Sequence, residues 1–456
     1  MRLNPVFDRF VEKSPISVMA RAVMERLLNP DQLNDWFDKT ARKQYTRELL
    51  FSSVFDIMSQ VVLGSQRSVN AAFQASEEDI AVSVTSVYNK LNGIEPNTSA
   101  ELVRYAAAQG IGIIEELKNQ AKPLLPGFRV KLLDGNCIGA TEHRIKELRS
   151  SAAGALPGKS LVVLDPVLRM PIDVFPCEDG HAQERSLLGC VLPTVEAQDL
   201  WISDRNICVR SFLCGIAEKM AYFINRLHDN FPWESIGNEK YIGKVETGKV
   251  YEQPIQVEDE SGKKWKFRLI RICLKKPTRD GDKEIFIITN LSKGAAHAKA
   301  IADLYRKRWK IETAFQELTE HLNCEINTLG YPPAALFAFS LALVSYTIFS
   351  VLKAALSSEY GNERVDNEIS GYYLADEISG TYRGMMIAIR ESEWVEFRHL
   401  SQSEFAMVLQ ELAKQVKLSR FRKHPRGPKK PSPKREFDPK HPHVSTARLL
   451  ASRKKQ

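Results

Sequence analysis

Two short apolar runs in this chain each stop at an aspartate, and that pairing constrains the fold more than any other feature. Phe128 to Leu133 leads into Asp134-Gly135, and Leu200-Trp201-Ile202-Ser203 leads into Asp204-Arg205. Short apolar runs closed by a polar residue suit buried strands, so each aspartate is expected at a strand end. A third acid, Glu312, lies in a patterned stretch, Leu304 to Leu322, that reads as one helix. At about 100° per residue, Leu304, Ile311, Phe315, Leu318 and Leu322 form an apolar stripe. Asp303, Arg306, Lys307, Lys310, Glu317 and Glu320 then face solvent, and Tyr305, Arg308, Glu312 and Thr319 line one edge of the core. Two strand-end aspartates with a helix glutamate suit two divalent cations roughly 4 Å apart, a device for cutting and joining phosphodiesters. The plain alternative for Arg308 and Glu312 is an i,i+4 ion pair on a helix flank, worth about 0.3 kcal/mol.

Tyr305-x-x-Arg308-Trp309-x-Ile311-Glu312 resembles the Tyr-x-x-Arg-x-x-x-Glu signature of the IS4-type DDE transposases of bacterial insertion sequences. Leu132-Leu133-Asp134-Gly135 is similar to their first-aspartate segment, and Trp201-Ile202-Ser203-Asp204-Arg205 to their second. The resemblance covers roughly residues 125 to 350 and implies Asp134, Asp204 and Glu312 as catalytic metal ligands. One departure is plain: the family usually carries a lysine six or seven residues after the glutamate, and Thr319 stands at the seventh here.

The expected architecture is α/β, a ribonuclease-H-like catalytic core with a β-strand insertion, flanked by helical N- and C-terminal regions. Arg129 to Leu133, Leu161 to Leu164, Ile172 to Phe175, Leu200 to Ser203 and Tyr222 to Ile224 read as short strands. Gln183 to Leu188 and Val209 to Met220 read as helices among them. The gap from Asp204 to Glu312 is too long for a plain core. It contains a β-rich stretch with predicted strands Tyr241 to Val245, Val250 to Val257, Lys264 to Leu274 and Glu284 to Thr289. The resulting division is 1–126, a helical DNA-binding domain; 127–238, the first part of the core; 239–291, the insertion; 292–360, the second part of the core; 361–420, helical; and 421–456, a basic disordered tail.

Before Pro126, Arg21 to Leu28, Phe51 to Val62, Ile80 to Leu91 and Ala100 to Leu117 have helical periodicity, with Asn97-Thr98-Ser99 as a cap for the last. Ile80 to Tyr105 reads as a helical hairpin or as a helix-turn-helix, and the long turn favours the hairpin. Ala334 to Ala354 is apolar enough to span a bilayer, but Ser340, Ser345, Tyr346, Thr347 and Ser350 interrupt it. A buried helix packed against the Glu312 helix is expected there, with no membrane. Glu391 to Val408 offers apolar positions for packing or for pairing with another protomer.

The chain of 456 residues carries a formal charge of +8, and Lys414 to Gln456 holds fifteen Lys or Arg against Glu436 and Asp438, so the rest is net acidic. Such a basic segment suits nucleic acid or an anionic surface. Seven cysteines without a C-x-x-C pair, and no signal-peptide pattern, point to a reducing cytoplasm, here the bacterial nucleoid, and away from zinc.

By resemblance, double-stranded DNA is the partner, at both transposon ends and target, in a synaptic homodimer. Two Mg²⁺ ions are expected, with Mn²⁺ as a substitute, because carboxylate sites with phosphate ligands suit them. Tyr305, Arg308, Arg205 and Arg226 would contact phosphate, and Lys429 and Lys430 the backbone of DNA in general. Trp265 is the expected base-stacking aromatic of the insertion, its alternative being a Trp packed on a sheet face. His143 and His181 are read as structural or surface residues. Two other functions fit the same residues: a catalytically impaired, transposase-derived DNA-binding protein, which Thr319 favours, and a nuclease without strand transfer.

Overall fold

The computed structural model describes residues 4–44, 48–76, 80–118, 121–139, 141, 145–146, 154–278, 281–424 and 444–453. His143, Lys429 and Lys430 lie outside the described residues. The chain opens with helices α1 (Asp8–Lys13), α2 (Pro15–Leu27), α3 (Pro30–Thr40), α4 (Phe51–Val62), α5 (Val69–Ala75), α6 (Val84–Gly93) and α7 (Pro96–Glu116). Strands β1 (Arg129–Cys137), β2 (Ala155–Leu156), β3 (Lys159–Asp165) and β4 (Met170–Cys177) follow. Next come α8 (Leu188–Val191), β5 (Asp199–Ser203), α9 (Arg210–Glu218) and β6 (Tyr222–Arg226). The insertion supplies β7 (Glu234–Ser235), β8 (Lys240–Lys244), β9 (Gly248–Glu258), β10 (Lys264–Leu274) and β11 (Glu284–Thr289). Then follow α10 (Ala298–Arg306), α11 (Trp309–His321), α12 (Pro332–Tyr360), α13 (Asn362–Glu368), α14 (Gly371–Ala388), α15 (Glu391–Trp394), α16 (Glu396–His399) and α17 (Gln402–Lys414), and finally β12 (Val444–Ser445) and α18 (Thr446–Arg453).

The strand order is β4-β3-β1-β5-β6-β11-β10-β9-β7, with β8 on β9. Antiparallel β1, β3 and β4 joined to parallel β5 and β6 make the ribonuclease-H-like arrangement. The insertion continues this sheet, because β11 pairs antiparallel with β6 through Ile287↔Arg226 and Ile288↔Asn225.

Alternation along the strands gives the sheet two apolar faces. Leu132, Val162, Leu200, Ile202 and Ile224 face the helical layer. Leu133, Val163, Trp201, Phe223 and Ile288 face the other side, where α8 and α9 pack. The helical layer is organised by α12, apolar on every side and therefore buried on every side. Pro332 opens it and Gly361, at φ 85°, closes it. Three of its buried hydroxyls bond within the helix: Ser345, Thr347 and Ser350 donate to the carbonyls of Leu341, Leu343 and Tyr346. The most apolar stretch of α12 is wholly buried against protein. Its partners differ from expectation, since it packs chiefly on α7, α17 and β4 and only slightly on α11.

Three further expectations are corrected, and one left open is decided. The stretch Leu304 to Leu322 is two helices, because α10 ends at Arg306 and α11 starts at Trp309. The junction narrows to i→i−3 bonds, Lys307 N to Leu304 O, Arg308 N to Tyr305 O and Ile311 N to Arg308 O. α7 starts at Pro96 rather than after a cap at Asn97 to Ser99, since the proline lacks the amide that a first helical residue would leave unbonded. Trp394, Phe397 and Phe405, in the segment read as packing or pairing with another protomer, are fully buried inside this chain, the packing reading; Trp394 and Phe397 pack around Phe7. The basic tail does not stay detached along its whole length. Ser445 pairs with Leu156 and also hydrogen-bonds Asp179, and Arg448 pairs with Asp179 at 2.7 Å.

Candidate active site

Asp134 and Asp204 are brought together by strand register. β1 and β5 run parallel with Leu133 opposite Ser203, so the next residue of each is an aspartate at the same level. Both follow residues of the helix-covered face by two positions, Leu132 and Ile202, so both side chains point toward the helical layer. β1 continues to Cys137, so Asp134 lies within its strand, whereas Asp204 follows the last residue of β5. Asp204 caps the turn at Arg205 to Ile207, accepting from the Arg205 amide at 2.7 Å. Asn225, buried on β6, donates to Ser203 Oγ at 2.6 Å and to the Asp204 carbonyl at 3.1 Å, which fixes that strand end.

The helix junction supplies the rest. In a tight turn with i→i−3 bonds, residues three apart eclipse, and Tyr305 and Arg308 therefore reach the sheet together. The Tyr305 hydroxyl donates to Asp204 Oδ1 at 3.2 Å. Arg308 donates to Asp134 Oδ2 at 3.0 Å through one nitrogen and pairs with Glu312 Oε1 at 2.6 Å through the other. Its side chain is 7% exposed, against 36% for Glu312. Glu312 occupies the first turn of α11, where the helix dipole favours a negative charge. The i,i+4 pair is thus present, but it is one half of a bridge between strand and helix.

Burial pushes the Asp134 carboxyl up to about 7; Arg308 and the Gly135 amide oppose this, and the nearby Asp204 and Glu184 charges add to it. Burial also raises the Tyr305 hydroxyl, with Asp204 adding to the effect, so it stays protonated and able to donate. Burial works against the Arg308 charge, yet Tyr305, Asp204, Asp134 and Glu312 outweigh it and hold the guanidinium protonated.

Glu184 is a member of this site that sequence reasoning missed. It follows β4 in a short turn of helix, and its carboxylate fills the space a side chain at Gly135 would need. A Cβ there would lie 2.3 Å from Glu184 Oε1. The signal in sequence was the glycine directly after Asp134. Trp309, 60% exposed and adjacent to Arg308, is a second residue that the pattern alone did not single out.

Other expected residues fall elsewhere. Arg226 is at the right end of β6, but its guanidinium is taken by Asp282 at 2.7 Å. Arg205 is exposed beside Asp204. Trp265 is at the wrong end and on the wrong face. From Ile270, which is level with Ile287 and Arg226, it is five residues back along β10, roughly 17 Å at strand rise. It packs against the face opposite the acids and donates to Asp259 at 2.8 Å, so it is the packed Trp of the alternative reading. Glu317 is not solvated: Tyr346 donates to it at 2.8 Å and Lys353 pairs with it. Thr319 is exposed and bonds the Phe315 carbonyl. His181 is exposed.

The donor chemistry fits a hard divalent cation: carboxylates only, with Asp134 raised partly by its acidic neighbours. Among the described residues no three such side chains close around one point. The guanidinium of Arg308 stands between Asp134 and Glu312 instead.

Strand order, paired aspartates and the glutamate helix define a DDE-type catalytic core. Residues 132–348, just under half of the chain, match the family model described as "Transposase DDE domain". A Sinorhizobium fredii protein described as "Putative transposase y4zB" is 26% identical over 199 residues, which cover 42% of this chain. The chain spans about half the length of that relative, 52%. A structure of the piggyBac transposase synaptic complex with hairpin DNA aligns over 86% of each chain at 10% identity and a TM-score of 0.37.

Proposed function

We propose that this chain is the DNA transposase of an IS4-type insertion sequence. On this reading it binds the terminal inverted repeats, cleaves at the ends of the element and joins the 3′-OH ends to target DNA. The carrying observation is the register that sets Asp134 beside Asp204 while Arg308 ties Asp134 to Glu312 within a DDE domain. Asp134 and Asp204 would hold Mg²⁺ together, and Glu312 would join them as Arg308 turns from the carboxylates toward a phosphate. The bound ions, for which Mn²⁺ could substitute, supply Lewis acidity at the scissile phosphodiester. Asp134 acts ionised, so its raised pKa makes both the metal and neutral-to-basic pH favourable to the reaction. Tyr305 holds the Asp204 carboxylate in place, and its hydroxyl serves that carboxylate before any phosphate. Arg308, with its planar fork, is placed to take over a non-bridging phosphate oxygen. Arg205 lies beside Asp204 to do the same, and Trp309 replaces Trp265 as the aromatic beside the cut. Two ends in one event call for two active sites and hence a homodimer on DNA, in the bacterial nucleoid. The experiment is cleavage of a duplex carrying the intact ends, together with strand transfer of pre-cut 3′-OH ends into plasmid DNA, both in Mg²⁺, with Asp134→Asn and Asp204→Asn as controls. Products from the wild type alone support the reading. End cleavage without transfer would leave a nuclease, and end binding without either would leave an impaired, DNA-binding derivative.

A further inference from the structure

The insertion sends its connections to the same end of the sheet as the acids. β6 runs parallel to β5, and β11, β10 and β9 alternate from it, so both turns arrive at the end of the sheet that carries Asp204, the β10–β11 turn nearer and the β8–β9 turn roughly 20 Å across the sheet at strand spacing. These pieces are tied to the site. Arg226 pairs with Asp282 of the β10–β11 turn at 2.7 Å. The Lys275 amide donates to the Thr247 carbonyl at 2.9 Å, joining the two turns, and Arg306 of α10 pairs with Glu246. Acids at this end are thereby taken by arginines: Glu246 by Arg306, Asp282 by Arg226, and Glu239 and Glu284 by Arg271.

Six lysines are left over. Lys244, Lys249, Lys275, Lys276, Lys283 and Lys307 are all exposed, and none has an ion pair with an acid among the described residues. Lys244 and Lys249 are directly opposite each other across β8 and β9, on the face of Ile255 and Val257 rather than that of the acids, so they flank the end of the sheet from its other side; like charges so placed destabilise a strand pair. Asp204, Glu312 and Glu184 lie close by and would repel a polyanion. A fixed row of cations beside them offsets that repulsion, and ammonium groups serve as point charges that position a backbone without reading bases.

We propose that these six lysines form a ledge for the phosphate backbone of duplex DNA flanking the bond held at Asp134 and Asp204. The proposal rests on the DNA-cutting reading above and adds to it where the duplex lies, along the β8–β9 and β10–β11 turns. The partner is double-helical DNA, gripped without regard to sequence.

The test uses the full chain and a fluorescent duplex of about 40 base pairs of arbitrary sequence, titrated by anisotropy across a salt series. In one variant Lys249, Lys275, Lys276 and Lys283 are all changed to Ala. In a control variant Lys263, Lys264 and Lys266, at the other end of the sheet, are changed to Ala. The ledge variant is expected to lose up to about 0.9 in log K–log salt slope per lysine, a fall of roughly 3 to 4 in all, with the control at the wild-type slope. Unchanged slope in the ledge variant, with the wild type binding duplex, overturns the ledge and leaves the transposase reading standing. An equal loss in the control variant overturns it too, since position would not matter. No duplex binding by the wild type at any salt overturns both.

Discussion

Replacing Arg308 by Met should cost stability in a way that depends on pH. The guanidinium is 7% exposed and spans Asp134, 18% exposed, and Glu312, 36% exposed. Removing one partner of a buried pair costs about 3–5 kcal/mol, and we take the lower end because Glu312 is well solvated. In the wild type Asp134 titrates near 7 in the folded state, against 3.8 for the free side chain. Because the folded value is the higher one, the stabilising contribution is complete below pH 3.8 and is lost as pH rises through 7. Without Arg308 the folded pKa climbs further, and about 3 kcal/mol corresponds to roughly two pH units. The deficit of Arg308→Met should therefore be small at pH 5 and about 2 kcal/mol at pH 9, where Asp134 of the variant is still half protonated. Thermal unfolding of chelator-treated protein at the two pH values measures it, read as a midpoint difference because a chain of this size need not unfold in two states. A deficit equal at both pH values, or none at pH 9, would refute the claim that Arg308 neutralises Asp134.

Three other outcomes follow from the same geometry. Gly135→Ala should push the half-exposed Glu184 side chain aside at a cost below about 1 kcal/mol, and adding Glu184→Ala should remove that cost in a thermal double-mutant cycle. Tyr305→Phe, which removes the 3.2 Å bond to Asp204, should slow end cleavage by about tenfold, since a hydrogen bond to a charged group is worth about 1.5 kcal/mol, with folding little changed. Trp265→Ala should lower the melting temperature through lost packing against the α8–α9 face, while the cleavage rate per folded molecule stays at the wild-type value.

Much of this molecule was legible from its residues, for physical reasons. The strands around Asp134 and Asp204 announced themselves because a sheet covered on both faces needs unbroken apolar runs, and those of the insertion because their turns are charged. Gly135 and the Tyr305–Arg308 spacing were visible, but their meaning was not. The first depends on a carboxylate brought from Glu184, far along the chain, and the second on a junction where the helix tightens to three residues per turn. That tightening, at Lys307 and Arg308, removes too little of the pattern to interrupt the apolar stripe read from Leu304, Ile311, Phe315, Leu318 and Leu322. Trp265 was misplaced because position in sequence does not show strand direction. Only the pairing of β10 with β11 and β6 reveals which end faces the acids. Arg226 looked available until the fold brought up Asp282, and the Trp394–Phe397 cluster left packing and pairing open until Phe7 was seen to fill it.

The central claim is that Asp134, Asp204 and Glu312 form one metal-dependent centre for cutting DNA. Its most direct test is Mg²⁺-dependent cleavage of a duplex carrying the element's own ends with flanking sequence, comparing the wild type with Glu312→Gln. The account predicts cuts at the ends by the wild type in Mg²⁺, none in chelator, and none by the variant, although both proteins bind the duplex. Equal cleavage by the two proteins would contradict it.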